Sequence, residues 1–275
     1  MKNVIILTMF FCFSQLALSQ TNISGSISQN TTWSLANSPY LVTGTVTVQS
    51  GVTLTIEPGV IIKSNLLAPF YPSTINVQGT LLAQGLPNEP IVFTSYRDDE
   101  YGGDTNGDGS ATTPNVSNWS SVEIAASSGN SSVIGNCLFR FGSYDDGALR
   151  IDGSSPNVTN CTFFKCKRGV DVINNGNPTL TNNVFDYCTQ VPIAKDLQTQ
   201  VSFENNVFNT TNSFMAIGLI HTNGIAGASY PLNKTNVGSI INIPYAPLQD
   251  LLIPQNNTLT IEPGVIIKSN LLAPF

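Results

Sequence analysis

Short bursts of alternating apolar and polar residues run along most of this chain, punctuated by Gly, Pro and Asn. Val42, Gly44, Val46 and Val48 alternate with Thr, then Val52, Leu54 and Ile56 follow Gly51, and Ile62 stands beyond the turn Pro58-Gly59. Period-two runs of this length predict short β-strands with one buried face. Ile75 and Val77 before the Gly79 break, and then Ile91-Val92-Phe93, predict more of the same.

The pattern repeats. Phe139, Phe163, Phe185 and Phe208 lie 24, 22 and 23 residues apart. Aligning them brings Ile134, Val158, Leu180 and Phe203 into one apolar column, Asn136, Asn160, Asn182 and Asn205 into another, and Cys137 and Cys161 with Asn183 and Asn206 into a third. Gly147 matches Gly169, Pro156 matches Pro178 and Cys166 matches Cys188 at an offset of 22. A repeat of this length that cannot bury its own apolar face predicts a solenoid, each coil giving three short strands to three parallel sheets. The four Phe side chains then share one interior column at roughly the 4.8 Å strand spacing. The four Asn at the fixed turn position are expected to hydrogen-bond up their column and satisfy turn backbone.

A longer repeat overlies the coils. TLTIEPGVIIKSNLLAPF occurs at Thr53 to Phe70 and again, letter for letter, at Thr258 to Phe275. Pro39-Tyr40 recurs at the same offset as Pro244-Tyr245, while the remaining flanks diverge. Exchange between copies and an error of sequence assembly both leave such a pattern, and both origins stay open. A genuine duplication predicts a chain that continues past Phe275, with 244–275 the start of a second unit and 20–243 the first.

The opening of the chain is different in kind. Lys2 precedes an apolar run from Val4 to Phe13, and Ala17 and Ser19 are small residues in an A-x-S arrangement, so 1–19 is expected to be a secretory signal peptide. The run is too short to span a bilayer, and no later stretch approaches the roughly 20 apolar residues a spanning helix needs. The mature protein is therefore expected to be secreted or held at the cell surface, without a transmembrane segment. Charged residues make up 10% of the chain, against about 25% in ordinary soluble domains. The net charge of −6 argues against nucleic acid as a partner, because phosphate binding needs clustered Lys and Arg.

Taken together, GVTLTIEPGVIIK, the INVQGTLLAQG…PIVFTS run, the GGDTNGDG loop followed by Trp119, and the N-C-x-F and N-N-x-F coils resemble the right-handed parallel β-helix proteins of the pectin-lyase-like superfold, especially exported bacterial repeat proteins. The resemblance implies an all-β right-handed parallel β-helix with about 22–24 residues per coil. It does not imply one activity, because the superfold hosts lyases, hydrolases, adhesins and passive stalks.

Candidate chemistry lies in two places. Asp98, Asp99 and Glu100 precede Asp104-Thr105-Asn106-Gly107-Asp108-Gly109, within a polar loop spanning about 98–118. Asp104, Asn106 and Asp108 present oxygen ligands at alternate positions around a Gly-permitted turn, a spacing that suits calcium. The twelfth position of such a loop is Asn115 rather than Glu, and the alternative is a polar surface loop. The second place is the basic cluster Lys165, Lys167 and Arg168, with Arg150 and Arg140 on nearby coils and Asp145, Asp146, Asp152 and Asp171 available beside it. The resemblance implies a use for it, since lyases of this fold abstract the proton α to a uronate carboxylate with Lys or Arg. Solvated turn charges are the other reading. His221 has no partner set for triad or zinc chemistry. Trp33, Trp119, Tyr96, Tyr101 and Tyr144 are candidates for stacking on sugar rings. Cys137 over Cys161 and Cys166 over Cys188 are expected to form reduced ladders, with disulfides the alternative in an exported protein.

Three function classes follow. A non-enzymatic scaffold that binds a polysaccharide or cell-surface glycan leads, because no recognisable catalytic set recurs. A polysaccharide lyase or glycoside hydrolase acting on an acidic polysaccharide is second, and a passive stalk third.

Overall fold

The computed structural model describes residues 20–64, 66–67, 71–220 and 228–269; residues 1–19, expected to be a signal peptide, and His221 lie outside the described residues. Short strands pair in parallel with their counterparts one coil away, building three sheets along a solenoid. The first sheet is made of Thr31–Trp33, Thr53–Ile56, Thr80–Gln84, Val133–Gly135, Asn157–Thr159, Thr179–Thr181 and Ser202–Glu204. The second contains Ile61–Ser64, Ile91–Ser95, Cys137–Arg140, Thr162–Phe164, Val184–Asp186 and Val207–Phe208. The third contains Ile75–Val77, Val122–Ile124, Leu149–Asp152, Arg168–Ile173, Val191–Lys195, Ile217–Leu219 and Tyr245–Pro247. The long strand Tyr40–Val48 joins the second and third sheets, pairing with Ile61–Ser64 through its first residues and with Ile75–Val77 through its last. Thr21–Ile27 lies along it as the opening strand.

The interior is built from the predicted columns. Phe139, Phe163, Phe185 and Phe208 are in register on successive strands of the second sheet and buried. Phe139 to Phe163 and Phe163 to Phe185 each stack at 4.9 Å, with planes within 10°. Phe208 closes the column edge-on to Phe185 at 5.1 Å. The column has a fifth ring, because Phe93 stacks on Phe139 at 4.8 Å. The spacing alone does not reveal Phe93, since an insertion between Ser95 and Val122 doubles its distance along the chain to Phe139. Beyond Phe93 the same register runs through Ile62 to Tyr40, which stacks on Trp33 at 5.1 Å. Burying each ring contributes about 1.5–3 kcal/mol, and ring contacts add about 0.5–1.5 kcal/mol.

The Asn column differs from expectation. Asn136, Asn160, Asn182 and Asn205 stand at φ between 48° and 55°, and Asn is there because it tolerates the left-handed conformation of a tight corner. Asn160, Asn182 and Asn205 are exposed and build no ladder. The buried amide ladder is one residue later. Asn206 Oδ1 accepts from Asn183 N at 2.9 Å, Asn183 Oδ1 accepts from Cys161 N at 2.9 Å, and the amide nitrogens donate to Leu180 O and Val158 O. Cys161 and Cys137 continue that column, and Cys166, Cys188 and Asn212 line the next corner, where Asn212 Oδ1 accepts from Cys188 N. Cys137, Cys161, Cys166 and Cys188 are free and buried. Burial pushes the Cys166 thiol up to about 12, so these thiols pack as small fillers.

One charge enters the interior register. Lys195 pairs with Val172 and Leu219, both buried core residues, and its Nζ donates to Thr199 O at 2.7 Å. Burial pulls its pKa down to about 8 from 10.5, against the opposing charge of Asp196. Below about pH 8 the ammonium is charged in both states and the full cost of burying it is present. Between about 8 and 10.5 the unfolded chain holds the proton and the folded chain sheds it, so stability rises with pH. The stability of the protein relative to Lys195→Met, measured by denaturant titration, is predicted to increase steadily from pH 7 to pH 10; a difference independent of pH would contradict the assignment.

Candidate functional site

Residues alternating with the core on the third sheet share its register on the opposite side. Thr47, Asn76, Glu123, Arg150, Asp171, Ala194, Gly218 and Ala246 follow one another, one per coil. The middle of the row is charged. Arg150 Nη1 lies 2.7 Å from Asp146 Oδ1, and its Nη2 is 3.4 Å from Asp152 Oδ2. Arg168, at the start of the next strand, donates from Nε to Asp171 Oδ1 at 2.9 Å, from Nη2 to Asp171 Oδ2 at 2.7 Å and from Nη1 to Gln190 Oε1 at 2.9 Å. A further bond from Nη2 reaches the Asp145 backbone carbonyl. Burial pushes the Glu123 carboxyl above the ordinary carboxylate range, an effect that the nearby Arg150 charge opposes.

Towards the C-terminus the row turns small. A side chain on Gly218 would meet Leu248 Cδ1 at 2.6 Å, so Gly is required for Leu248 to fold over the sheet. Leu248, Ile220 and Phe214 form a separate apolar cluster over Ala194, Ala216 and Ala246. Between this cluster and the ion pairs lies a cavity of about 250 Å³, lined by Asp145, Asp146, Arg150, Arg168, Asp171 and Gln190 on its polar side and by Ile220 and Leu248 on its apolar side.

The structure therefore brings Asp145, Asp146, Arg168 and Asp171 together and divides the basic cluster. Lys165, at φ 51°, is turned to the outer side of the second sheet, its ammonium 5.2 Å from the Phe164 ring centre and 6.0 Å from that of Phe141. Lys167 reaches the Tyr144 carbonyl at 3.4 Å. Glu123, Arg150 and Gln190 join the site from separate coils. Glu123 is legible only once the register across the insertion is known, because the insertion separates it from Asn76, whereas Arg150 stands one coil before Asp171 in the chain.

The acidic loop sits elsewhere, on the outer face of the second sheet. Asp98 Oδ2 accepts from Thr94 Oγ1 at 2.5 Å and lies 3.4 Å from Arg140 Nε, and Glu100 pairs with Arg140 Nη2 at 2.6 Å. Lys63, fully buried beneath the loop, donates to Gly103 O at 2.5 Å. Sheet cations thus hold down the insertion. Asp104 folds its tip, accepting from the backbone of Gly107, Asp108 and Gly109, while Asn106 Nδ2 donates to Asp108 Oδ2 at 2.8 Å. Among the described residues no group of three or more His, Cys, Asp or Glu side chains is placed to hold a metal ion. Trp119 ends the insertion as a core residue, with Nε1 donating to Arg140 O at 2.7 Å, and Trp33 is equally buried. Neither indole is available to stack on a sugar, contrary to expectation. Tyr101 lies under the Arg140 guanidinium, 4.7 Å from its ring centre. Lys165 and Arg140 share a second cavity, of about 500 Å³, with Arg97, Asp99 and Phe141.

Family models support the architecture. Residues 25–128 match a model described as a pectate-lyase-like beta helix domain, and residues 104–235 match one described as a right-handed beta helix region. The chain is a right-handed parallel β-helix. No curated protein and no solved structure matches it. In this β-helix the charged cavity lies on the third sheet and the acidic insertion enters between the second and third sheets of one coil. No described helix is long and apolar enough to cross a membrane.

The Arg168–Asp171 pair is buried, so removing one partner strands the other charge, at a cost of about 3–5 kcal/mol. Arg168→Met is predicted to lower the β-helix's unfolding free energy by that amount in denaturant titration, and adding Asp171→Leu to recover part of it. A single variant within 1 kcal/mol of the parent, to use the scale of exposed pairs, would show the pair to be solvated.

Proposed function

We propose that this β-helix is an exported, non-enzymatic scaffold that binds a polysaccharide along its third sheet. The observation that carries the reading is the cavity beside the Glu123–Arg150–Asp171 row. Its carboxylate, guanidinium and amide groups are fixed by one another before any ligand arrives, and Ile220 and Leu248 supply an apolar wall opposite. A sugar presents the same two characters, hydroxyls at its edge and C–H groups on its faces, and a site with few placed polar groups against apolar side chains suits it. Strands one coil apart let successive sugars of a chain meet successive rows. Export is supported by the leader-like run Val4–Phe13.

The same geometry argues against proton abstraction. A general base must be free to take a proton from a substrate. Arg168 is bonded to Asp171, Gln190 and the Asp145 carbonyl, and Lys165 faces the other sheet. A glycan-array screen followed by calorimetry tests the proposal. Binding of at least one polysaccharide, weakened about tenfold or more by Arg150→Ala, is expected, in line with losing about 1.5–3 kcal/mol of charged hydrogen bonding. No binding across the array, or accumulation of an unsaturated uronate product from pectate or alginate, would overturn it.

A further inference from the structure

The corner that follows the second sheet is built against its own backbone preference. Phe141, Lys165 and Tyr187 occupy one position on successive coils, two residues beyond Phe139, Phe163 and Phe185. All three stand in the left-handed conformation, at φ 61°, 51° and 54°. That conformation is costly for a residue with a Cβ, and bulky side chains avoid it. At the corner before the sheet, the same coils use Asn136, Asn160, Asn182 and Asn205, which tolerate it. Asn at Lys165 and Tyr187 would make the same turn at lower cost. Strain kept where Asn would relieve it marks side chains retained for what they touch.

Phe141 and Lys165 line the cavity of about 500 Å³ between the acidic insertion and the outer face of the second sheet. An aromatic strip continues from it, because Phe164 meets Phe141 edge-on at 6.5 Å and Tyr187 at 5.7 Å. Tyr187 is 48% exposed. The charges lining the cavity are unevenly matched. Arg140 is neutralised by Asp98 and Glu100, and Asp99 lies in the field of the buried Lys63. Among the described residues neither Arg97 nor Lys165 forms an ion pair, although Lys165 adds to the positive field at Glu100. The hydroxyls of Ser110 and Thr113 complete the polar rim.

We propose that this cavity is a second carbohydrate site, which takes a sugar bearing a carboxylate or sulfate group. Arg97 and Lys165 bind the anion by charge-assisted hydrogen bonds, and Phe164 and Tyr187 present apolar surface to the C–H groups of the ring. None of these residues lines the third-sheet cavity, so the site stands apart from the binding proposed there.

Calorimetry in the Arg150→Ala background separates the two sites. Trigalacturonate carries carboxylates, a sulfated disaccharide carries sulfate, and the methyl ester of trigalacturonate is the neutral control. At least one anionic probe is expected to bind about tenfold or more tightly than the ester, and which one binds identifies the group. Arg97→Gln combined with Lys165→Asn is expected to erase that preference, as loss of charged hydrogen bonds would. Lys165→Asn and Tyr187→Asn should each weaken binding while the denaturation midpoint holds or rises, because Asn relieves the corner. Acetylation of Lys165, followed by mass spectrometry with the native side chain in place, should slow when the anionic probe is bound. Failure of both anionic probes to bind, equal binding of the ester, or acetylation of Lys165 unchanged at saturating probe would overturn the proposal. So would a lowered midpoint in both Asn variants, which would make the corner residues structural.

Discussion

Everything in this molecule depends on the register between neighbouring coils. A coil of about 22 residues offers three strands of three to six residues, too little surface to bury its own apolar face against the entropy of ordering it. Stacking in register solves this by placing like on like: Phe on Phe in the second sheet, Val and Ile on one another in the third, and Asn183 on Asn206 at the corner. A slip of one residue would send the Phe column to solvent and bring Thr162 and Val184 inward, so the buried columns hold every strand in its place.

The outer surface inherits that order. Because the third sheet is pinned from inside, its outward residues fall into a row, and Glu123, Arg150 and Asp171 come together from three coils, the last two at the spacing of one coil. The buried Arg168–Asp171 pair costs desolvation that only exact geometry repays, and the Gln190 and Asp145 contacts supply that geometry. The acidic insertion follows the same logic on the second sheet, where Lys63 and Arg140 meet its carboxylates. A loop with the spacing of an ion-binding motif is thereby also a clamp on the outer face of the solenoid.

The columns themselves were legible in the chain. Four Phe at 22 to 24 residues declare the coil, and their burial and stacking follow the alignment. Phe93 was not legible, because the insertion hides its register, and neither was Glu123 for the same reason, whereas Arg150 was legible as a basic residue one coil before Asp171. The Asn pattern was visible but assigned one residue early: the corner needs a left-handed residue at Asn136, Asn160, Asn182 and Asn205, and the next position, turned inward, carries the ladder. Sequence proximity misled at Lys165 and Arg168, where a left-handed turn between them points the two side chains to different sheets. Trp119 reads as a surface aromatic beside a polar loop, yet the corner between two sheets closes around it.

Deleting Asn160 to Thr181 removes one complete coil of 22 residues and joins Thr159 to Asn182, the residue equivalent to Asn160. Near-ultraviolet circular dichroism and the cooperativity of denaturant unfolding should then resemble those of the parent, with reduced stability, whereas removing 21 residues, Asn160 to Leu180, should abolish both. Equal tolerance of the two deletions, or loss of folding in both, would contradict the claim that coil register holds this protein together.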